Sequence, residues 1–255
     1  KVLWLLRADG KLISYTVQPE LGVSAFMIHS IGGTDAAVQA ITVVPNSTDN
    51  DHLYLSTTRT VDSATVDYIE VMEDFFDNNN LFTESKFLDT AKHYSGGATT
   101  TITGLDHLEG ETVQVITNNG QHPDRTVSSG QITLQASATG ASVGLYKARN
   151  VTLHPINVQL PNGSGRGSVK SVYAVYLDLY ETAACAAGIS GKQKEILFKE
   201  NTSLETNELD LFSGIKKVDG LATAYSENTA VQVSQTVALP LTVNSIITKY
   251  DITNE

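Results

Sequence analysis

The stretch GGATTTITGLDHLEGETVQV, residues 96–115, decides the fold class of this chain. It joins a threonine-rich run to a compact turn and then to a second run in which apolar and polar residues alternate. β-Branched residues favour strands, and Gly104 and Gly110 permit the tight backbone bends that a short connection needs. The stretch therefore predicts two strands joined by a turn, in a mainly β protein.

The composition is that of a folded protein built from several β units. Of the 255 residues, 41% are hydrophobic and 18% are charged, which excludes a disordered chain. The length allows a large core, but short strands and frequent turn residues indicate two or three units. Cys185 is the single cysteine, so an internal disulfide is excluded.

The chain shows no signal for a membrane or for secretion. It has no apolar run of about 18 residues and no charged-then-apolar pattern at its start. It begins at Lys1 inside a β-prone run. We therefore expect no membrane span, and we expect the sequence to be a fragment of a longer polypeptide.

The net charge of −11 argues against a surface that grips phosphates. Nucleic-acid affinity comes largely from lysine and arginine, which displace counterions from the phosphate backbone. An acidic wall can nonetheless face DNA usefully, because like charges keep a passing duplex from sticking.

The first 73 residues predict antiparallel hairpins. Ala8-Asp9-Gly10 supplies one tight turn and Asp62-Ser63 another, and two similar apolar cores lie roughly fifty residues apart, a period seen in propellers. The region therefore fits consecutive propeller blades, and an ordinary antiparallel meander equally well. The predicted strands are 2–6, 11–17, 24–31, 37–44, 52–59 and 65–72.

The rest of the chain divides into three predicted segments. Residues 74–98 are predicted as a linker, in which 84–92 form a short helix or a loop. Residues 99–148 are predicted as a small β-barrel or sandwich. Residues 149–255 are predicted as a second β-rich domain.

This last domain contains two long predicted strands, at 150–159 and 170–180. Apolar residues occupy both faces of the second strand, so we expect a neighbouring subunit to cover one of them. Residues 183–188 are predicted as a loop or a short helical segment, and residues 231–239 and 243–250 as closing strands.

The turn between the two strands of the opening stretch carries four polar residues, Asp106, His107, Glu109 and Glu111. A histidine near carboxylates can bind a metal or act in acid-base catalysis. The better-specified interpretation is a structural turn formed by Gly104, Asp106, His107 and Gly110, in which Leu105 and Leu108 enter the core and the charged groups face water. We expect no metal and no cofactor here.

Three groups of residues resemble segments of a phage protein family. They are Phe87-Leu88-Asp89 with Tyr94-Ser95-Gly96, then residues 102–115, and finally Leu239-Pro240-Leu241-Thr242-Val243. In this order they resemble the tail nozzle of short-tailed bacteriophages, also called tail tubular protein B. The resemblance runs from about residue 87 to the C-terminus, and more loosely through the N-terminal hairpins. It favours blades of a truncated propeller over a meander for residues 1–73.

The resemblance implies a structural virion protein. Such a protein is a homo-hexameric ring that extends the DNA ejection channel below the portal and adaptor, with further tail proteins such as fibres as neighbours. It would be made in the bacterial cytoplasm and reside in the virion tail, touch genomic DNA only transiently, and have no enzymatic activity. The chain departs from the family because much of the expected propeller is missing, which puts ring formation by this fragment in doubt.

A glycine-rich loop, Gly163-Ser164-Gly165-Arg166-Gly167-Ser168, interrupts the last domain. It lacks the lysine of a P-loop and the spacing of a dinucleotide fingerprint, so a mobile tip is the better interpretation. In a nozzle, Arg166 and Lys170 would then be the residues that contact DNA phosphates.

The alternative function is a tail-tip protein that binds or degrades polysaccharide. Its candidate carboxylate pairs are Asp74 with Asp77 and Glu205 with Glu208. Its candidate stacking residues are Trp4, Tyr173, Tyr176 and Tyr180.

Overall fold

The computed structural model describes residues 2–46, 51–74, 76, 83–84, 87–161, 163–198, 211–221 and 225–253. These residues form antiparallel sheets with short 3-10 turns, so the predicted mainly β fold is confirmed. The chain divides into two compact units, Lys1–Lys147 and Ala148–Glu255.

The first unit contains three sheets in its described part. Sheet 1 has the strand order β1-β2-β3, sheet 2 the order β4-β5-β6, and sheet 3 the order β7-β10-β8-β9. The strands are β1 (Val2–Leu6), β2 (Leu12–Gln18), β3 (Val23–His29), β4 (Thr34–Val44), β5 (His52–Val61), β6 (Ala64–Val71), β7 (Asp89–Thr103), β8 (Thr112–Thr117), β9 (Gly120–Thr126) and β10 (Gln131–Leu145).

Sheets 1 and 2 face one another through a small apolar core. Trp4 and Leu12 of sheet 1 contribute to the same cluster as Val38 and Leu55 of sheet 2. The turn between β1 and β2 fixes the contact, because Gly10 has φ +77° and its carbonyl accepts a 2.9 Å hydrogen bond from the Val38 amide. An added Cβ there would lie 2.6 Å from the next sheet, so glycine is required on two grounds.

Sheet 3 surrounds the largest core of the first unit. The end of β7, a 3-10 turn at Asp106–Leu108 and β8 follow one another, and the buried side chains of these elements pack against those of β10. The fully buried members include Leu105, Leu108, Val113, Val115, Ala141 and Val143.

The structure corrects the predicted linker at 74–98. Strand β7 begins at Asp89 and pairs with β10 along most of its length. The pairing contains three register shifts, which interrupt the period-two pattern and made this strand hard to recognise from the sequence. For the same reason the sequence pattern does not reveal that β10 extends from Gln131 to Leu145.

The second unit has two sheets and a short hairpin, β12-β13, in its described part. Sheet 4 has the order β11-β18-β15-β16 and sheet 5 the order β17-β14-β19. The strands are β11 (Arg149–Thr152), β12 (Gln159–Leu160), β13 (Gly163–Ser164), β14 (Val169–Thr182), β15 (Ala186–Ile189), β16 (Lys192–Glu195), β17 (Phe212–Asp219), β18 (Val231–Gln235) and β19 (Thr242–Thr253).

Two predictions for this unit are wrong. The expected strand at 150–159 ends at Thr152, because Pro155 has no amide to donate to a ladder. The expected loop or helix at 183–188 contains the start of β15, which pairs with β16 and β18. Its small residues Ala187 and Gly188 are buried, and an added Cβ on Gly188 would collide with the carbonyl of Lys192.

Candidate functional site

The turn at 104–110 is built as a structural element. Leu105 and Leu108 are fully buried, and Gly104 and Gly110 both have φ +77°. The Glu109 carboxylate accepts hydrogen bonds of 2.8 and 2.7 Å from the amides of residues 129 and 130. The prediction that the charged groups of this turn face water is therefore wrong for Glu109, which closes the neighbouring turn.

His107 also holds the fold together. One ring nitrogen lies 3.0 Å from the carbonyl oxygen of Thr90, and the carbonyl of His107 accepts a 2.7 Å hydrogen bond from the Tyr68 hydroxyl. In the described part of the chain, no three His, Cys, Asp or Glu side chains are grouped closely enough to hold a metal ion. The polar groups of this turn thus join segments of the fold and do not converge on a common centre.

A buried arginine, which the sequence analysis did not single out, joins sheet 2 to its surroundings. Arg59 is 1% exposed and its guanidinium lies 2.9 Å from the Glu70 carboxylate. The same guanidinium donates to the carbonyl of Gly32 at 2.7 Å and to the hydroxyl of Thr57 at 2.8 Å. An arginine buried this deeply needs such a set of acceptors, because its charge cannot be left without partners.

Glu70 extends this cluster to sheet 3. One carboxylate oxygen accepts a 2.7 Å bond from Thr57, and the other accepts a 3.1 Å bond from the amide of Thr90, at the start of β7. Tyr68 lies beside it, with the Arg59 guanidinium 5.5 Å from its ring centroid. Burial raises the pKa of the Tyr68 phenol, while the positive charge of Arg59 acts in the opposite direction.

The sequence of β5 contains a pattern that could have predicted the buried Arg59–Glu70 pair. Alternate residues of that strand, from Leu53 to Val61, are buried, and Arg59 occupies one of these inward positions. A cation at an inward position of a strand indicates a buried ion pair.

The glycine-rich loop is held by its own hydrogen bonds. The amide of Gly165 donates to the carbonyl of Val158 at 2.7 Å, and the Ser164 hydroxyl accepts from the amide of Arg166. Arg166 lies in a 3-10 turn at Gly165–Gly167 and is exposed. Of the two cations predicted to contact DNA, Arg166 is thus accessible.

Lys170 is the other one, and the prediction that it contacts DNA is wrong. Its side chain is fully buried, and its ammonium donates to the carbonyl of Ser168 at 2.8 Å and to that of Arg166 at 3.4 Å. The burial results from a β-bulge between Val172 and Ala174, which resets the inward and outward positions along β14. Lys170 therefore stabilises the loop from the buried side, and its ammonium is not accessible to DNA.

The candidate glycan-binding residues are only partly brought together. Tyr173 and Tyr180 are exposed and Tyr176 is half-buried, with the Lys249 ammonium 5.1 Å from its ring centroid. Trp4 lies in the other unit, in the core between sheets 1 and 2. Of the candidate carboxylates, Asp77, Glu205 and Glu208 lie outside the described residues.

The outer side of sheet 1 is an exposed apolar surface, which we call face 1. It consists of two cross-strand rows, one of Leu3, Tyr15 and Phe26 and one of Leu5, Ile13 and Ile28. Tyr15 and Phe26 are stacked with ring centroids 4.2 Å apart. Phe26 is 69% exposed and Ile28 55%, so the described part of the chain does not cover these side chains.

The outer side of sheet 2 is a second apolar surface, which we call face 2. Its rows consist of Thr42, Tyr54 and Val71 and of Ala40, Ser56 and Ile69, with Val44 beside them. Ile69 is 76% exposed, and a shallow groove of about 380 Å³ lies between these side chains. Sheets 1 and 2 contact each other through their inner sides, so faces 1 and 2 point away from each other.

No helix in the described residues is long and apolar enough to cross a membrane. Neither a protein-family model nor a curated protein matches the sequence.

Proposed function

We propose that this chain is a structural subunit of a bacteriophage tail nozzle, in which several copies surround the channel through which DNA leaves the virion. The single observation that carries the proposal is the pair of exposed apolar faces on sheets 1 and 2. Contiguous apolar patches on a folded protein commonly mark surfaces that bind another protein, a membrane or a ligand, and a protein partner is the one that a tail subunit requires. A subunit of a closed assembly needs such surfaces.

The polar clusters of the first unit support the same function. Arg59, Glu70, Glu109 and His107 are all engaged with atoms of neighbouring segments. One of these bonds, from the Thr90 amide to the Glu70 carboxylate, joins sheet 3 to sheet 2. Such bonds make the unit rigid, which suits a wall element. The residues of the nozzle resemblance lie on this framework, since residues 102–115 form the turn and the strand ends that surround its core.

The charge of the chain suits a channel that DNA passes through. A net charge of −11 disfavours stable binding to phosphates, so a duplex would slide past without being held. Arg166, exposed at the tip of its turn, is the proposed point of transient contact with DNA.

One observation favours a second function, binding of polysaccharide at the tail tip. Tyr173, Tyr176 and Tyr180 follow one another on β14, and two of them are exposed. Aromatic rings on a sheet can stack against sugar rings. A glycan-binding or glycan-degrading protein would then use sheet 5 and not the faces of sheets 1 and 2.

Two measurements on purified virions and recombinant chain separate these functions. For a nozzle subunit, mass spectrometry of the particles detects the chain at several copies per virion, and the recombinant chain releases no sugar from capsule or lipopolysaccharide. Sugar release that stops when Tyr176 is replaced by alanine would establish the second function and overturn the first.

A further inference from the structure

We infer that His122 is an acid-sensitive latch in sheet 3. Its neutral ring joins β9 to the first part of β10, and protonation of the ring releases this connection. The inference goes beyond the proposed function and does not depend on it. It assigns a role to a buried histidine that belongs neither to the turn at 104–110 nor to the Arg59 cluster.

Strands β9 and β10 follow each other in the chain but are not neighbours in the sheet. The order of sheet 3 is β7-β10-β8-β9, so β9 is hydrogen-bonded to β8. The turn between β9 and β10 is closed by an isolated bridge between Ser128 and Gln131, and within the described residues no ladder joins the two strands beyond it. A gap therefore runs between β9 and residues 131–137 of β10, and we call this gap the seam.

Two side chains of β9 bridge the seam at successive positions. The Arg125 guanidinium donates to the carbonyl of Thr133 at 2.9 Å, and the His122 ring accepts a hydrogen bond from the amide of Gln135 at 2.8 Å. The contacts move backward along β9 as they move forward along β10, which is the order of an antiparallel pair. Side chains thus make the connections at the seam that backbone groups make in a ladder.

The Gln135 amide depends on His122 because β10 departs from β7 at this point. Thr133 pairs with Thr101 and Ala138 with Thr99, so residues 134–137 lie outside the ladder that β10 forms with β7. A backbone amide inside a fold needs an acceptor. The ring of His122, which is 8% exposed, supplies that acceptor.

The two bonds of the His122 ring fix its protonation state. A backbone amide can only donate, so Nε2 accepts from Gln135 and carries no proton. Nδ1 lies 2.7 Å from the carbonyl oxygen of Pro123, which can only accept, so Nδ1 carries the proton. A doubly protonated ring would place an N–H group against the N–H of Gln135, and the bond across the seam would be lost.

The charged neighbours of His122 on its own strand are Asp124 and Arg125. Neither β8 nor β10 contains an ionisable side chain. The turn before β8 lies beside residues 126–130, remote from His122, and β7 is the opposite edge strand of the sheet. The ionisable side chains on β7 and in that turn are Asp89, Lys92, His93, Tyr94, Asp106, His107, Glu109 and Glu111. Among the described residues, no carboxylate is bonded to the His122 ring, so protonation brings no new ion pair in exchange for the lost bond.

The latch responds to mild acid. Histidine takes up a proton as the pH falls below about 6.5. The bond across the seam is therefore present at neutral pH and is lost as the pH falls, because only the unprotonated ring accepts it. Since the ladders of sheet 3 do not include this bond, the seam can open while the strands stay paired.

The test measures hydrogen exchange of the Gln135 amide by NMR in the full chain. Protection relative to an unstructured chain is compared at about pH 7.5 and about pH 5. We expect it to fall roughly tenfold in acid, the factor that corresponds to about 1.4 kcal/mol and to one net hydrogen bond. The amides of residues 141–144, which belong to strand pairs with β7 and β8, should keep their protection.

The ring itself gives a second readout. Nitrogen NMR of His122 should show Nε2 unprotonated at neutral pH, and the midpoint of the ring titration should coincide with the midpoint of the loss of protection at Gln135.

The variant His122→Gln separates the latch from a merely structural histidine. The carbonyl oxygen of a glutamine side chain can accept the Gln135 amide but does not titrate, so protection of that amide should be equal at the two pH values. The matched control is His154→Gln, which removes an exposed histidine outside sheet 3 and should retain the tenfold fall.

Three results would overturn the inference. One is equal protection of Gln135 at both pH values in the unaltered chain. Another is an equal fall in the His122→Gln variant, because a different group would then carry the effect. The third is a parallel loss at residues 141–144, which would indicate general acid unfolding. If His122→Gln does not fold, the two midpoints in the unaltered chain decide, and a separation of more than about one pH unit would overturn the inference.

Discussion

Replacing Arg59 by methionine tests whether the buried polar cluster holds the first unit together. The substitution keeps most of the side-chain volume but removes the partner of Glu70, whose side chain is only 17% exposed. It also leaves the Gly32 carbonyl without the 2.7 Å bond from the guanidinium. Removing one partner of a buried ion pair costs about 3–5 kcal/mol, and we expect about 3 kcal/mol because Glu70 keeps some contact with water and two other donors.

The double variant Arg59→Met/Glu70→Met isolates the pair. With both charges gone, no carboxylate is left unpaired, so the loss of stability should be smaller than the sum of the two single losses by about 1–3 kcal/mol. Arg7→Met is the control, because Arg7 is an exposed arginine in the same unit and the loss of its exposed pair with Asp9 should cost far less than the loss of Arg59.

Urea unfolding followed by Trp4 fluorescence measures the effect. Trp4 is the only tryptophan and lies in the core between sheets 1 and 2, so its signal reports the first unit. The chain has two units, so only the transition seen by Trp4 is analysed as two-state. A loss below about 1 kcal/mol for Arg59→Met, or additive losses in the double variant, would refute the argument, because water would then replace the guanidinium without cost.

Three further predictions concern single positions. Gly130→Ala should destabilise the first unit by about 1–3 kcal/mol, since the backbone φ of Gly130 is +67° and the new Cβ would collide with the Asp106 carboxylate. The control in the same urea experiment is Gly97→Ala, because the space around its Cβ position is open. Burial raises the pKa of the Cys185 thiol to about 12, so a disulfide reagent at pH 8 should modify the folded chain far more slowly than the chain in urea, and equal rates would contradict the burial. A hydrogen bond from Arg7 lowers the pKa of Asp9 to about 2, so the Asp9 carboxylate should titrate near that value by NMR. The Arg7–Asp9 pair is then lost only as the pH falls through about 2. The Arg7→Gln variant should return the pKa of Asp9 toward about 4.

The hairpins of the first unit could be predicted well because their strands are regular. Strand β1 has the bounds that the sequence indicates, and β5 begins at the predicted residue. A tight turn with glycine or aspartate follows each strand, and β1 is a continuous apolar run whereas β5 alternates. Local rules were enough where a strand pairs with its neighbour across a tight turn without a register shift, as β1 does with β2 and β5 with β6.

Bulged strands could not be predicted in the same way. The start of β7 was assigned to a linker and the outward position of Lys170 was wrong, and in both strands a register shift interrupts the alternation. A bulge changes which residues point inward without leaving a mark in a single sequence. The same limit applies to faces 1 and 2. From the sequence alone, an apolar residue on the outer side of a sheet cannot be distinguished from a core residue, because the positions of the other sheets are not known.

The central claim, that the chain serves as a building element of the tail channel, is tested most directly by cryo-electron microscopy of the intact virion that contains it. The account predicts density for the chain in a ring of copies around the channel. Density for the chain only in a peripheral spike or fibre, with sheet 5 turned toward bound glycan, would contradict it.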